Sequence, residues 1–200
     1  MARMNYTRSL VLGLALVVPG LGHAATWEAD PTHSTVGFAI RHMMISTVRG
    51  QFRTFTATAT GDPAAPAGAT IEASIDVASI DTGNEKRDAH LKSADFFDAG
   101  KFPKITFKSK KIEPAGAGKA KVTGDLTLHG VTKEVVLDVE GPTAVIKDPF
   151  GNTKAGAHAQ VRINRKDFGI AWNKGMDGGG IMLGEDVDIS IDIEAVKKGD

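Results

Sequence analysis

No cysteine occurs anywhere in the chain. Thiol nucleophiles, thiolate metal sites and disulfides are excluded together, so the apolar core must hold the fold unaided. Neither sign of charge dominates, with 24 Lys and Arg against 24 Asp and Glu. Nothing electrostatic therefore points to nucleic acid or an anionic surface as partner. Long hydrophobic runs are missing as well. The apolar stretch Leu10 to Val18 falls well short of the ~20 residues that a bilayer span needs, so stable membrane insertion is not expected. No repeat of fixed period and no polar low-complexity tract divides the sequence.

That short apolar stretch has another reading. Arg3 and Arg8 precede it, Pro19-Gly20 breaks it, and Gly22-His23-Ala24 supplies the small residues of a cleavage site. Residues 1–24 are expected to be a secretory signal peptide, and residues 25–200 one domain. Removing the leader takes away two arginines and no acid, leaving a net charge near −2. The absence of Cys just after the cut argues against a lipoprotein anchor.

What remains is mostly alternating sequence, the signature of half-buried strands. Val36, Phe38, Ile40 and His42 share one face of the segment 35–42. In 46–60 the inward set runs Val48, Gly50, Phe52 and then shifts parity to Phe55, Ala57, Ala59, as a bulge would require. Ile71, Ala73, Ile75 and Val77 alternate in 70–80, and Ile105 and Phe107 in 104–112. Val122, Gly124, Leu126 and Leu128, then Val135, Leu137 and Val139, flank Gly130 as the arms of a hairpin. Ala157, Ala159, Val161 and Ile163 form another row, and Val187, Ile189, Ile191 and Ile193 the last.

Eight strands with one wet face imply an antiparallel sheet. The expected fold is all-β, an eight-stranded antiparallel barrel with one short helix between the third and fourth strands. A two-sheet sandwich shows the same alternation. Small inward residues (Gly50, Ala57, Ala59, Ala73, Gly124, Ala157, Ala159) favour an internal cavity over a solid core.

The helix is expected from Thr82 to Phe97, with Thr82 and Glu85 as a capping box. Asp88 and Lys92 would pair across one turn, and Leu91, Ala94 and Phe97 would form a thin apolar stripe. Gly100 and Pro103 stop it. On this segment Asp88, His90 and Asp95 lie close together. Solvated helix charges explain them better than a catalytic dyad, since no nucleophile elbow accompanies them.

His33, His42, His90, His129 and His158 have no metal-binding spacing. His42 ends an inward row, either as a satisfied edge histidine or as a head-group donor. Gly178-Gly179-Gly180 lacks the Lys-Ser or Lys-Thr of a phosphate loop, and reads with Trp172, Met176 and Met182 as a loop at one end of the barrel.

Several motifs then match in order. Asp30-Pro31-Thr32-His33-Ser34-Thr35-Val36-Gly37-Phe38 comes first, followed by Ile80-Asp81-Thr82-Gly83-Asn84, Arg87 to Phe97, and Phe102-Pro103-Lys104-Ile105-Thr106-Phe107. Gly124 to Lys133, Asn164-Arg165-Lys166-Asp167-Phe168-Gly169-Ile170 and Gly184-Glu185-Asp186-Val187 complete the series. This order strongly resembles the YceI-like family over essentially the whole mature chain. The resemblance implies a lipocalin-like barrel holding a long polyisoprenoid lipid, such as a prenyl quinone, in the periplasm, without catalysis or a cofactor.

The expected ligand-binding residues are the inward Phe38, Ile40, His42, Phe52, Ile71, Ala73, Ile75, Phe107, Leu126, Leu137, Ile189 and Ile191. A homodimer is left open. Two other readings stand beside this one: a stress-linked interaction module with a filled barrel, and a hydrolase or isomerase using Asp88 and His90 with Asp95.

Overall fold

The computed structural model describes residues 24–177 and 179–199; the expected leader up to His23 lies outside them, as does Gly178. Among the described residues twelve strands form one sheet. In chain order they are β1 (Thr26–Ala29), β2 (Thr35–His42), β3 (Ser46–Phe52), β4 (Phe55–Thr60), β5 (Thr70–Asp76), β6 (Ile80–Asp81), β7 (Lys104–Pro114), β8 (Lys119–Leu128), β9 (Val131–Glu140), β10 (Ile146–Lys147), β11 (Thr153–Asn164) and β12 (Leu183–Lys198). The α-helix α1 (Glu85–Lys92) lies between β6 and β7.

The sheet closes on itself. β11 pairs with β12 over eleven residues and with β9 over three, so β1, β4, β5, β7, β8, β9, β11 and β12 form an eight-stranded antiparallel ring. All the named pairings are antiparallel, and they make the ring continuous, with β6 and β10 left as short edge strands.

The four strands outside the ring, β2, β3, β6 and β10, show why twelve strands serve an eight-strand plan. β12 pairs with β1 through 195–198 and with β2 through 183–192, so β1 and β2 are two halves of one broken strand. The break is the turn at Asp30, whose carboxylate accepts the N–H of Thr32 at 2.9 Å and meets the His33 ring at 2.9 Å. β3 and β4 are likewise halves of one strand. Phe52 and Phe55 both face inward, because Arg53 and Thr54 leave the ladder and donate their N–H groups to Ser79. Opposite them a single 3-10 turn, Val77–Ser79, splits β5 from β6. The parity shift expected in this strand is thus met by a matching break in its neighbour. The sequence-based reading missed β1 and the two-residue β10, both too short to show alternation.

The β8–β9 hairpin closes on His129-Gly130, both at positive φ (53° and 74°), the conformation a two-residue hairpin favours. His129 tolerates it because its Nδ1 lies 3.1 Å from the Phe168 carbonyl and its ring packs against Phe102.

The helix is shorter than expected, and its cap is different. Asn84, not Thr82, accepts the N–H of Arg87 (3.0 Å). Thr82 is engaged elsewhere: its N–H and hydroxyl both donate to Asp88, while Arg87 Nε donates to its Oγ1. Asp88 therefore serves the approach to the helix rather than pairing with Lys92. Beyond Lys92 the chain folds back through turns, and Phe96 rather than Ala94 becomes buried. Among the described residues no helix is long and apolar enough to cross a membrane.

Candidate functional site: a tunnel through the barrel

Inside the ring lies a cavity of about 750 Å³. At one end its wall includes Arg87, His90 and Leu91 of α1, with Trp172 and Met182. At the other it includes Gly61, Asp62, Pro63 and Pro66 of the β4–β5 connection, with Gly141 and Pro142 after β9. The register puts these groups at opposite ends: His42 pairs Leu183 near the helix, whereas Thr26 pairs Thr60 and Lys198 at the far end. The cavity is a tunnel along the barrel axis.

All twelve inward residues named from the sequence stand in its wall: Phe38, Ile40, His42, Phe52, Ile71, Ala73, Ile75, Phe107, Leu126, Leu137, Ile189 and Ile191. Most of these apolar side chains are only half-buried even though they point inward, because they face open space rather than packed neighbours. Solid packing is confined to two places. A large cluster centres on Val77, Ile80, Phe96, Phe168 and Ile170 near the helix, and a smaller one on Ile112, Ala120 and Val122 near the far end.

The small inward residues divide into two kinds. Ala57, Ala59, Ala73, Ala157 and Ala159 line the tunnel and leave width. Gly50 and Gly124 do not. A Cβ on Gly50 would come within 2.5 Å of the Phe38 ring, and one on Gly124 within 2.5 Å of the Phe107 ring and 2.6 Å of the Lys108 carbonyl. These glycines are occupied by neighbouring rings lying across them, so the expectation that they add cavity volume is corrected. Sequence parity shows which face a glycine is on, not what covers it.

Several wall residues were not expected. His90 is expected from the sequence to be a solvated helix charge, and Arg87 carries no expectation of its own, yet both line the tunnel. His90 Nε2 lies 2.8 Å from Asp95, and its ring meets Phe96 and Trp172 edge-on at 4.9 and 5.1 Å. Trp27 lines the far end, buried, with its Nε1 unpartnered among the described residues. Arg165 is the least expected. It follows Ile163 at the same parity, a signal the sequence carried, and it is 3% exposed. Asn164 caps the 3-10 turn Arg165–Phe168 by accepting the N–H of Lys166, and Gly169 at φ 79° ends it. The Arg165 guanidinium is held by Nε to the Gly184 carbonyl (2.9 Å) and by Nη1 to the Ile170 carbonyl (2.6 Å). Its Nη2 has no partner among the described residues. Burial lowers its pKa from the ordinary arginine value, and the charge of Glu185 only partly offsets this.

The comparisons agree with this geometry. The sequence model of the YceI-like domain matches residues 27–195. The chain belongs to the YceI-like family. A UPF0312 protein of Vibrio campbellii is 36% identical over 191 residues, covering 94% of this chain and 95% of that protein. Among solved structures, a YceI protein of Campylobacter jejuni is 38% identical with a TM-score of 0.68, over 80% of this chain and 91% of that one. A polyisoprenoid binding domain from Saccharophagus degradans, implicated in plant cell wall breakdown, gives a TM-score of 0.62 at 15% identity, over 86% of this chain and 98% of that one. At that identity the likeness shows the fold alone. The motif Asn164 to Ile170, quoted above for the family, is the turn that places Arg165 in the wall of this YceI-like barrel.

Proposed function

We propose that this YceI-like protein is a carrier that holds one long polyisoprenoid chain, such as the tail of a prenyl quinone, in the barrel tunnel. It works in the periplasm after loss of residues 1–24, and its mechanism is sequestration rather than catalysis. The observation that carries this reading is the tunnel: a cavity of about 750 Å³, lined mainly by apolar side chains, running from the helix to the far loops. A chain entering it gains roughly 25 cal/mol for each Å² of apolar surface removed from water, so a long tail supplies affinity without many polar contacts. Membership of the YceI-like family supports the same reading, and the leader-like sequence supports export.

The two rival readings fit less well. A filled barrel does not match the open interior. A hydrolase would need Asp88 and His90 to act together, but Asp88 accepts from Thr82 while His90 pairs with Asp95 among aromatic rings.

Ala73 tests the carrier reading. It pairs with Ala57 and Phe107 and lines the tunnel wall. Ala73→Phe is expected to abolish lipid retention while the stability of delipidated protein holds or rises. In a solid core the same change would overpack and cost about 1–3 kcal/mol. Lost stability with retained lipid would show that Ala73 faces packed core and that the lipid lies elsewhere, whereas wild-type protein yielding no lipid would contradict the carrier reading. One thermal melt and one lipid extraction give the answer.

A further inference from the structure

The tunnel wall is electrically lopsided. Its charged or titratable members are His42, Arg87, His90, Arg165 and Asp62. The first four are at the helix end: His42 closes β2, Arg87 and His90 stand on α1, and Arg165 follows β11. Asp62 alone is at the far end, in the connection after β4. His90 is paired with Asp95 and Arg87 donates to Thr82, so Arg165 is the basic group left to distinguish the two ends of an amphiphile.

Arg165 is the group that makes this a site. Arginine keeps its charge in proteins, and a buried charge is strongly disfavoured unless it is paired. Its guanidinium is clamped by two backbone carbonyls, no carboxylate lies within salt-bridge distance of it among the described residues, and one NH₂ group is left over. Glu185, the acid that acts on it through space, is committed to Lys166. Trp27 presents a second unpartnered donor at the opposite end, but an indole N–H is neutral and far cheaper to leave unmade than a guanidinium.

We infer that Arg165, with Arg87 and His90 beside the same end of the tunnel, forms a head-group subsite for an amphiphile whose apolar tail ends in an anionic oxygen, a carboxylate or a phosphate. The head sits at the helix end and the tail runs toward Trp27 and Pro142. A guanidinium meets such an oxyanion with charge-assisted hydrogen bonds, and the surrounding apolar wall strengthens them. This rests on the carrier reading and narrows it, since a neutral quinone head would leave the arginine charge uncompensated.

The test uses delipidated mature protein and two probes with one tail, geranylgeranyl phosphate and geranylgeraniol. Wild type should bind the phosphate more tightly by at least about tenfold, and Arg165→Met should reduce that preference to less than about twofold while alcohol binding persists. Equal affinity for the two probes in wild type, or an undiminished preference in the variant, overturns the subsite and leaves the tunnel standing. If neither probe binds, the carrier reading fails as well.

Because Arg165→Met loses two structural hydrogen bonds, a second measurement keeps Arg165 intact. The chain has two tryptophans, and they lie at opposite ends of the tunnel. Hexadecanoic acid brominated at its tail terminus should quench Trp27 fluorescence in Trp172→Phe more than it quenches Trp172 fluorescence in Trp27→Phe. The reverse order, or equal quenching, overturns the orientation.

Discussion

At the residue scale, inward and outward positions along β12 carry opposite expectations. Ile189 faces the tunnel, whereas Ser190 is exposed on the outer face. Ile189→Asp should cost several kcal/mol or prevent folding, because it places a carboxylate in an apolar wall. Ser190→Asp should stay within about 0.5 kcal/mol of wild type. Thermal melts of the two variants check this, and equal midpoints would contradict the assignment. The twelve wall residues were legible because alternation reports the face directly. Arg165 was legible by the same parity and was passed over, since a charged residue breaks the apolar pattern that parity arguments follow. Gly50 and Gly124 show the opposite gap: their faces were read correctly, but a ring from the adjacent strand, which no single-strand pattern contains, fills the space above them.

At the element scale, the breaks within strands shape the barrel as much as the strands do. The parity shift between β3 and β4 was visible in the sequence because both halves are long enough to alternate. The break between β1 and β2 was not, because β1 has only four residues. Its turn is held by Asp30, whose pKa falls to about 2. The chief cause is the hydrogen bond with His33, followed by the one from the Thr32 N–H. A carboxyl whose pKa is depressed on folding contributes stability that is full above its unfolded value, near 3.8, and lost as pH falls toward 2. Asp30→Asn should therefore lower the melting temperature at neutral pH, with the gap to wild type narrowing as pH drops through that window. A gap that stays constant with pH would show that the turn is not held through this carboxylate. The helix boundary was misread for a related reason. Thr82 and Glu85 have capping-box spacing, but Asp88 and Arg87 compete for Thr82, leaving Asn84 to cap.

At the scale of the whole molecule, the ring, the two packed clusters and the open tunnel between them form one arrangement. The clusters supply the core that a cysteine-free chain needs, and the width left by Ala57, Ala73, Ala157 and Ala159 keeps the axis open. The barrel and its helix could be read from periodicity and motif order. The closing pair β9–β11, joined over only three residues, and the polarity of the tunnel could not, because both depend on contacts between segments far apart in the chain. The central claim is that the tunnel holds one long apolar lipid. Native mass spectrometry of the protein purified from its own cells, followed by solvent extraction, measures this directly. The account predicts one lipid per chain, released by solvent and bearing a single long isoprenoid tail. A protein mass equal to the bare mature polypeptide, with nothing recovered in the extract, would contradict it.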